Sequence, residues 1–140
     1  MKKKILFHAD DYGRTYSISK KIYNCLKLGN LNSVSVIIND NFKSHIQLKK
    51  LKKIKIKLHL NLTEKPHLKN NTLTFLKKLN FVRLLFLADE YKKSVFNEID
   101  YQIDKFVKIY KPNKLMIDGH EHIQMIPWIN NYLHSKKRIY

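Results

Sequence analysis

The chain contains the run Ile54-Lys55-Ile56-Lys57-Leu58-His59-Leu60, in which apolar and polar side chains alternate. Alternation with a period of two is typical of a β-strand, because successive side chains point to opposite faces of a sheet. The following residues, 61–74, include Pro66 and the pair Asn70-Asn71, which are typical of a loop. The sequence therefore predicts a strand over residues 54–60, which places His59 and Asn61 at its carboxyl end.

Three further segments predict strands on either side of this run. Residues 4–8 are mostly apolar and lead into Ala9-Asp10-Asp11-Tyr12-Gly13, and residues 33–38 are β-branched and apolar. Residues 114–118 lead into Gly119-His120-Glu121-His122. We also expect residues 138–140 to begin a fifth strand.

The segments between these strands have apolar residues at helical spacing. Ile18, Ile22, Leu26 and Leu28 predict a first helix, with Gly29 as its stop. The other predicted helices cover residues 44–53 with Asp40 or Ser44 as the cap, residues 75–87, residues 89–110, and a last helix from Pro127 to about Leu133. The long helix has the clearest apolar stripe, which consists of Val95, Ile99, Ile103, Phe106 and Ile109 or Tyr110.

Strands that alternate with helices predict an α/β fold with parallel strands and right-handed crossovers. A chain of 140 residues is the length of one domain, so we expect residues 1–140 to form a single domain. A fifth strand of only three residues leaves a sheet edge unpaired or a barrel open.

The formal net charge of +17 raises the possibility of a nucleic-acid or anionic-lipid partner. We favour a lysine-coated solvated surface over nucleic-acid binding, because only three of the 28 basic residues are arginine and no nucleic-acid-binding motif is present. No apolar stretch reaches the roughly 20 residues needed to cross a bilayer, and the basic N-terminus is followed by too short an apolar run for a signal peptide. With a single cysteine, the sequence indicates a cytoplasmic protein.

Polar residues that can bind metal follow three of the predicted strands. They are Asp10 and Asp11, then His59, then Asp118 with His120 and His122. The carboxyl ends of parallel strands line one face, so these side chains are expected to converge. One carboxylate and two imidazoles hold a divalent ion and leave room for water, and an adjacent carboxylate can act as a base. Each signal alone is also typical of a turn, a structural His-x-His or a core histidine.

Four stretches resemble, in order, the motifs of the YdjC-like carbohydrate deacetylases, a group that includes chito-oligosaccharide deacetylases and a hopanoid-biosynthesis branch. They are His8-Ala9-Asp10-Asp11-Tyr12-Gly13, Asn32-Ser33-Val34-Ser35, Leu58-His59-Leu60-Asn61-Leu62-Thr63-Glu64, and Asp118-Gly119-His120-Glu121-His122 followed by Pro127. Glu98 and Gln102 on the long helix also resemble a Glu and a Gln of that family, although polarity of a helix surface explains them equally well.

The resemblance implies a deformed, incomplete TIM-barrel-like fold and a hydrolase that removes N-acetyl groups from amino sugars. It implies one divalent metal ion, with magnesium or zinc favoured, held by Asp11, His59 and His120, and Asp10 as the general base. The residues expected to orient these ligands or to contact substrate are Asp118, His122, Asn61 and Thr63. The implied substrate is an N-acetylated oligosaccharide or glycolipid.

The sequence departs from the family pattern at several positions. Lys57 stands where relatives commonly have glycine, Tyr12 replaces a phenylalanine, and Gln124 replaces a third histidine. The resemblance covers roughly the N-terminal half of the family's length and lacks the segment that carries a histidine acting as general acid; His134 is better explained as a solvent-facing helix residue. A homo-oligomer or a complementing chain therefore remains an expected partner, and a non-catalytic sugar-binding module is the alternative function.

Overall fold

The computed structural model describes residues 5–38, 42–64 and 79–136. Four strands alternate with helices along this part of the chain. The strands are β1 His8–Tyr12, β2 Ser33–Val36, β3 Lys55–Leu60 and β4 Ile117–Gly119. The helices are α1 Tyr16–Lys27, α2 Phe42–Lys49, α3 Phe81–Leu85, α4 Asp89–Tyr110 and α5 Pro127–Ser135. A short 3-10 segment, His120–Met125, joins β4 to α5.

All four strands pair in parallel, and their order in the sheet is the same as their order in the chain. This arrangement confirms the predicted α/β fold, and the open sheet is consistent with a deformed or incomplete TIM-barrel-like architecture. In register, His8 lies opposite Ser33, Ser35 opposite Lys57, and His59 opposite Asp118. The carboxyl ends of the strands therefore meet at one edge of the sheet.

The two faces of the sheet differ in chemistry because side chains alternate along each strand. One face is apolar and buries Val34, Val36, Leu58 and Leu60 completely. The other face carries polar side chains, which are His8, Ser33, Ser35, Lys57, His59 and Asp118. The apolar face packs against the helices and forms the core, and the polar face carries the titratable side chains of the candidate site.

Helix α4 has the bounds that its apolar stripe predicts. It buries Val95, Ile99, Ile103, Phe106 and Ile109. Asp89 and Glu90 lie in its first turn, where negative charge interacts favourably with the helix dipole. The helix ends at Tyr110, with Lys111 as the C-cap before Pro112. The interpretation of Glu98 and Gln102 as polar surface residues is wrong, because both side chains are buried.

The predicted first strand exists, but its predicted bounds of residues 4–8 are wrong. Pairing with β2 begins only at His8, so that the strand contains the Asp10-Asp11 motif, and Ile5, Leu6 and Phe7 are exposed. Asn32 holds two of these residues, because its Oδ1 accepts the N–H of Phe7 and its amide donates to the carbonyl of Ile5. An apolar run does not reveal where its pairing partner begins.

Other element bounds shift by a few residues. Helix α2 starts before the predicted residue 44 and ends before 53, β4 starts later than residue 114, and Leu28 is exposed rather than part of the α1 stripe. Asp40 as a cap, the loop and helix predicted over residues 65–78, and the strand start at residues 138–140 lie outside the described residues. Within the described residues, no helix is both long enough and apolar enough to span a bilayer.

Replacing Phe106 by alanine tests the core of α4. Its side chain is fully buried and its ring centroid lies 5.0 Å from that of Tyr110, so Phe106→Ala removes packed apolar volume. We expect the free energy of unfolding to fall by about 3–5 kcal/mol in a urea titration. Phe86→Ala is the control, because Phe86 is 80% exposed and its loss is expected to change stability by less than about 0.5 kcal/mol. Equal losses in the two variants would contradict this description of the core.

Candidate metal centre

Strands β1 and β3 and the 3-10 segment after β4 carry the polar residues of the site at the carboxyl edge of the sheet. Asp11 lies in β1 at a register irregularity between Ala9 and Tyr12, with a φ of 67°. Glu121 and His122 have φ values of 53° and 57° directly after His120. Left-handed backbone at residues other than glycine is strained, and strain of this kind clusters where side chains must be aimed for function.

Gly119 allows the chain to fold back on β4. A Cβ atom at this position would lie 2.3 Å from Gln124 Oε1 and 2.9 Å from Ile123 Cγ1. Any side chain here would push the 3-10 segment away from the strand that it covers. The small residue before His120 therefore helps to bring that imidazole close to β1 and β3.

The structure brings Asp11, His59 and His120 together. Asp11 Oδ1 lies 3.0 Å from His120 Nδ1 and 3.3 Å from His59 Nε2. Both imidazoles are buried, and their rings meet edge to face with centroids 5.4 Å apart. One potential ligand atom from each residue lies within 4.8 Å of the others.

The hydrogen bonds around His59 test whether this trio fits a cation. His59 Nδ1 lies 2.6 Å from Asp118 Oδ1, which holds the imidazole proton on Nδ1 and leaves a lone pair on Nε2. That lone pair faces Asp11 Oδ1, a buried oxygen that has no hydrogen-bond partner. Two acceptors 3.3 Å apart repel each other unless a positive charge lies beside them. The donor set of two imidazoles and one carboxylate fits a divalent transition metal such as zinc.

A second trio consists of His8, Asp10 and Asp118. In this trio, no acceptor is left facing another acceptor without a donor. His8 Nε2 lies 2.9 Å from Asp10 Oδ1, and the hydroxyl of Ser35 donates to the same oxygen at 2.6 Å. Lys57 Nζ donates to Asp118 Oδ2 at 3.4 Å and supplies the positive charge. Because its acceptors face donors, this trio is a hydrogen-bonded network that does not require an ion.

Asp118 is the carboxylate that connects the two trios. Burial raises the pKa of its carboxyl group, but the hydrogen bond from His59 and the positive charge of Lys57 outweigh burial and hold the pKa below its usual value. Asp118 is therefore an anion at neutral pH, and it accepts a hydrogen bond from the N–H of His59 Nδ1. Lys57, which departs from the family pattern, compensates part of its charge.

Arg14 and Glu64 lie at the rim of the trio, and the sequence interpretation assigned them no role. Arg14 donates to both carboxylate oxygens of Glu64, at 2.8 and 2.5 Å, and to Asp11 Oδ2 at 3.2 Å. Burial raises the pKa of Glu64, but the hydrogen bonds and charge of Arg14, together with His120, lower it below its usual value. Glu64 belongs to the third of the four family-like motifs, whereas nothing in the sequence distinguishes Arg14 from the other basic residues.

Asn61 and Thr63 are buried and shape the loop after β3. Asn61 Oδ1 accepts the backbone N–H groups of Thr63 and Glu64, and its amide donates to the carbonyl of Glu64. Gln102 holds the other side of this loop, since its Oε1 accepts the N–H of Asn61 and its Nε2 donates to the Asn61 carbonyl and to Glu98. Helix α4 thus fixes the loop that presents Glu64.

A cleft of about 290 Å³ gives access to both trios. Asp10 is exposed at its mouth, His122 is also exposed, and Gln124 lies on its wall. The lining residues are His8, Asp10, Asp11, His59, Asp118, Gly119, His120, Glu121, His122 and Gln124. His134 is exposed on α5 and does not line it.

The family model described as YdjC-like protein matches residues 4–135. The chain belongs to the YdjC-like family. The matched range contains every residue of both trios, and the resemblance expected from the sequence motifs is confirmed.

Curated relatives of this YdjC-like chain are named as carbohydrate deacetylases. It is 27% identical over 136 residues to the carbohydrate deacetylase of Danio rerio, across 90% of this chain and 44% of that protein. It is 26% identical over 137 residues to the carbohydrate deacetylase of Mus musculus, again across 90% of this chain and 44% of that protein. Its identity to carbohydrate deacetylase 2 of Listeria innocua is 29% over 122 residues, across 84% and 49%. The YdjC-like chain spans about half the length of these relatives.

Replacing Gln102 by leucine tests the contact between α4 and the loop after β3. The substitution leaves the N–H and the carbonyl of Asn61 without their side-chain partner in a buried place. We expect the free energy of unfolding to fall by about 1–3 kcal/mol for each buried group that stays unpaired. The matched control is Gln47→Leu, at an exposed position of α2. If both substitutions changed the denaturation midpoint equally, the contact would have no special role.

Proposed function

We propose that the chain supplies the metal-binding portion of a carbohydrate N-deacetylase. In this proposal Asp11, His59 and His120 hold one divalent ion, and Asp10 is the general base. The observation that carries the proposal is the buried Oδ1 of Asp11, which has no hydrogen-bond partner and faces two imidazoles at one end of an open polar cleft. The relatives' shared name supports the reaction class.

The ion's contribution is that of a Lewis acid, which polarises a carbonyl group and makes water a stronger acid. The donor set supports zinc more than magnesium, because imidazole nitrogen suits zinc and magnesium prefers oxygen ligands. The residues around the ligands hold them in one orientation. Asp118 fixes the tautomer of His59, and the buried Ser35 lies 3.4 Å from the same ring nitrogen.

Asp10 has the position and the hydrogen bonds of a general base. Its Oδ1 accepts from His8 and Ser35, while its side chain is 58% exposed at the mouth of the cleft. A carboxylate held in this way keeps one oxygen free to accept a proton from water as the water attacks the acetyl carbonyl. The C–N bond then breaks, acetate leaves, and the amine of the sugar takes up a proton. No described residue is assigned as the donor of that proton, and a complementing segment would supply it.

The proposed substrate is an N-acetylated amino sugar in an oligosaccharide or a glycolipid. An open cleft lined by carboxylates, imidazoles and amide groups offers hydrogen-bond partners for sugar hydroxyls. His122 is exposed on its wall and is proposed to contact substrate, whereas the side chain of Asn61 is engaged by its own loop.

A second candidate function is a non-catalytic module that binds acetylated sugars. It is favoured by one observation, which is that the open cleft offers hydrogen-bond partners for sugar hydroxyls whether or not the reaction proceeds. Such a module would keep the metal trio and the cleft without completing the reaction. Release of acetate distinguishes the two functions.

Metal binding is tested by thermal unfolding with and without Zn²⁺. An ion that binds only the folded chain stabilises it by about 2.7 kcal/mol at a concentration 100 times its Kd, so the melting temperature should rise. His59→Ala and His120→Ala should abolish this rise, because each removes one of three ligands. His134→Ala, at an exposed position of α5, is the control and should melt like the parent chain. An unchanged melting temperature of the parent chain on addition of Zn²⁺ would contradict the proposed metal centre.

Catalysis is tested by measuring acetate release from N-acetylated chito-oligosaccharides by the metal-loaded chain. Asp10→Asn should reduce the rate by about 10²- to 10⁴-fold and retain metal binding, because it removes the base and keeps the shape. Asp104→Asn on the exposed face of α4 is the matched control. Binding of the sugar without any acetate release by the metal-loaded parent chain would favour the non-catalytic module.

A further inference from the structure

Each of the three proposed ligand residues has a second polar atom, and that atom lies within 4 Å of a charged side chain. For His59 the second atom is Nδ1, which is bound to Asp118. For Asp11 it is Oδ2, which accepts from Arg14 Nη1 at 3.2 Å. For His120 it is Nε2, a buried atom that makes no hydrogen bond and lies at an ion-pair distance of 3.6 Å from Glu64 Oε1.

Two of these three contacts depend on a single ion pair between distant parts of the chain. Arg14 follows β1, and Glu64 lies in the loop after β3, 50 residues further along. The guanidinium group reaches both carboxylates, since it donates to Glu64 through Nε and Nη2 and to Asp11 through Nη1. A continuous chain of contacts therefore runs from Asp11 Oδ2 through Arg14 and Glu64 to His120 Nε2.

We propose that Arg14 and Glu64 are a positioning pair that makes Asp11 a ligand through Oδ1 alone and presents His120 through Nδ1. The inference rests on the proposed metal centre and extends it to residues without a known role. The pair lies beside Asp11 Oδ2 and His120 Nε2, the two atoms that the proposed ligand set does not use. It acts through the ligands and does not touch the ion itself.

The chemistry of a carboxylate explains why Arg14 matters. A carboxylate binds divalent cations through one oxygen or through both, and the choice changes the number of ligands. A hydrogen bond from Arg14 to Oδ2 opposes rotation of the carboxylate towards two-oxygen binding. Lysine cannot replace this contact, because a single ammonium group lacks the planar fork that reaches Asp11 and Glu64 at once.

The chemistry of imidazole explains why Glu64 matters. A carboxylate beside Nε2 favours the proton on that nitrogen and the lone pair on Nδ1, which is the atom 3.0 Å from Asp11 Oδ1. Asp118 does the same for His59 with the nitrogens exchanged. Each ligand imidazole thus has its own carboxylate, which comes from β4 for His59 and from the β3 loop for His120.

If Arg14 and Glu64 served stability alone, altering them would lower the melting temperature of the metal-free chain and leave metal binding unchanged. Side chains of Arg14 and Glu64 are 37% and 38% exposed, and exposed ion pairs contribute little to folding. The melting temperature of the metal-free chain should therefore be unchanged when the pair is altered. An effect confined to metal binding would identify a positioning role.

The experiment is a Co²⁺ titration of the full chain, because the visible absorption of cobalt reports on its ligand number. Arg14→Lys and Glu64→Gln should each weaken Co²⁺ binding by about 10- to 100-fold. In Arg14→Lys the absorption should also become weaker and move to shorter wavelength, as expected when a further oxygen enters the ligand set. Arg83→Lys, at an exposed position of α3, is the matched control and should bind like the parent chain.

The outcomes separate this inference from the proposal on which it rests. If the parent chain bound Co²⁺ and both variants had the same affinity and spectrum, Arg14 and Glu64 would be an ordinary surface ion pair. If the parent chain bound no Co²⁺, the metal centre itself would be refuted, and the positioning pair with it. A spectral change in Arg14→Lys with an unchanged metal-free melting temperature is the expected result.

Discussion

The parallel register of four consecutive strands is the constraint on which the rest of the structure depends. It places His59 opposite Asp118 and Ser35 opposite Lys57, so that residues from separate motifs share one face of the sheet. A shift of one residue in β3 would turn His59 towards the apolar side and Leu58 towards the polar side. The apolar core beneath the sheet therefore determines the geometry of the site above it, since Leu58 and Leu60 are fully buried there.

A polar sheet face of this kind is stable only if its groups compensate one another. Ser33 and Ser35 are completely buried, yet each hydroxyl contacts a ring nitrogen of His8. Lys57 offsets the charge of Asp118. In the proposed ligand trio this compensation is incomplete, because the buried Oδ1 of Asp11 has no hydrogen-bond partner and lies 3.3 Å from His59 Nε2. Local deficits of this type are typical of sites that bind an ion.

Periodicity and motif order predicted much of the fold and predicted that Asp11, His59 and His120 lie close together. They did not predict the contacts between individual side chains. Helix α4 was predicted to the residue because its stripe is long and Pro112 ends it. The start of β1 was wrong, since the register of pairing is a tertiary property. For Glu98 and Gln102 the sequence left surface polarity and family resemblance equally open, and only the structure shows that both are buried and that Gln102 contacts the β3 loop. Arg14 is one of 28 basic residues, and only geometry distinguishes it.

The exposed apolar residues Ile5, Leu6 and Phe7 have a consequence for how separate copies behave in solution. They precede β1, which pairs with β2 alone among the described strands, so backbone groups and apolar side chains are both available along that margin. A net charge of +17 makes copies repel one another and opposes their association. Salt shortens the range of that repulsion to about 3 Å at 1 M. The net positive charge therefore opposes contact between these apolar margins in dilute salt, and concentrated salt weakens that opposition.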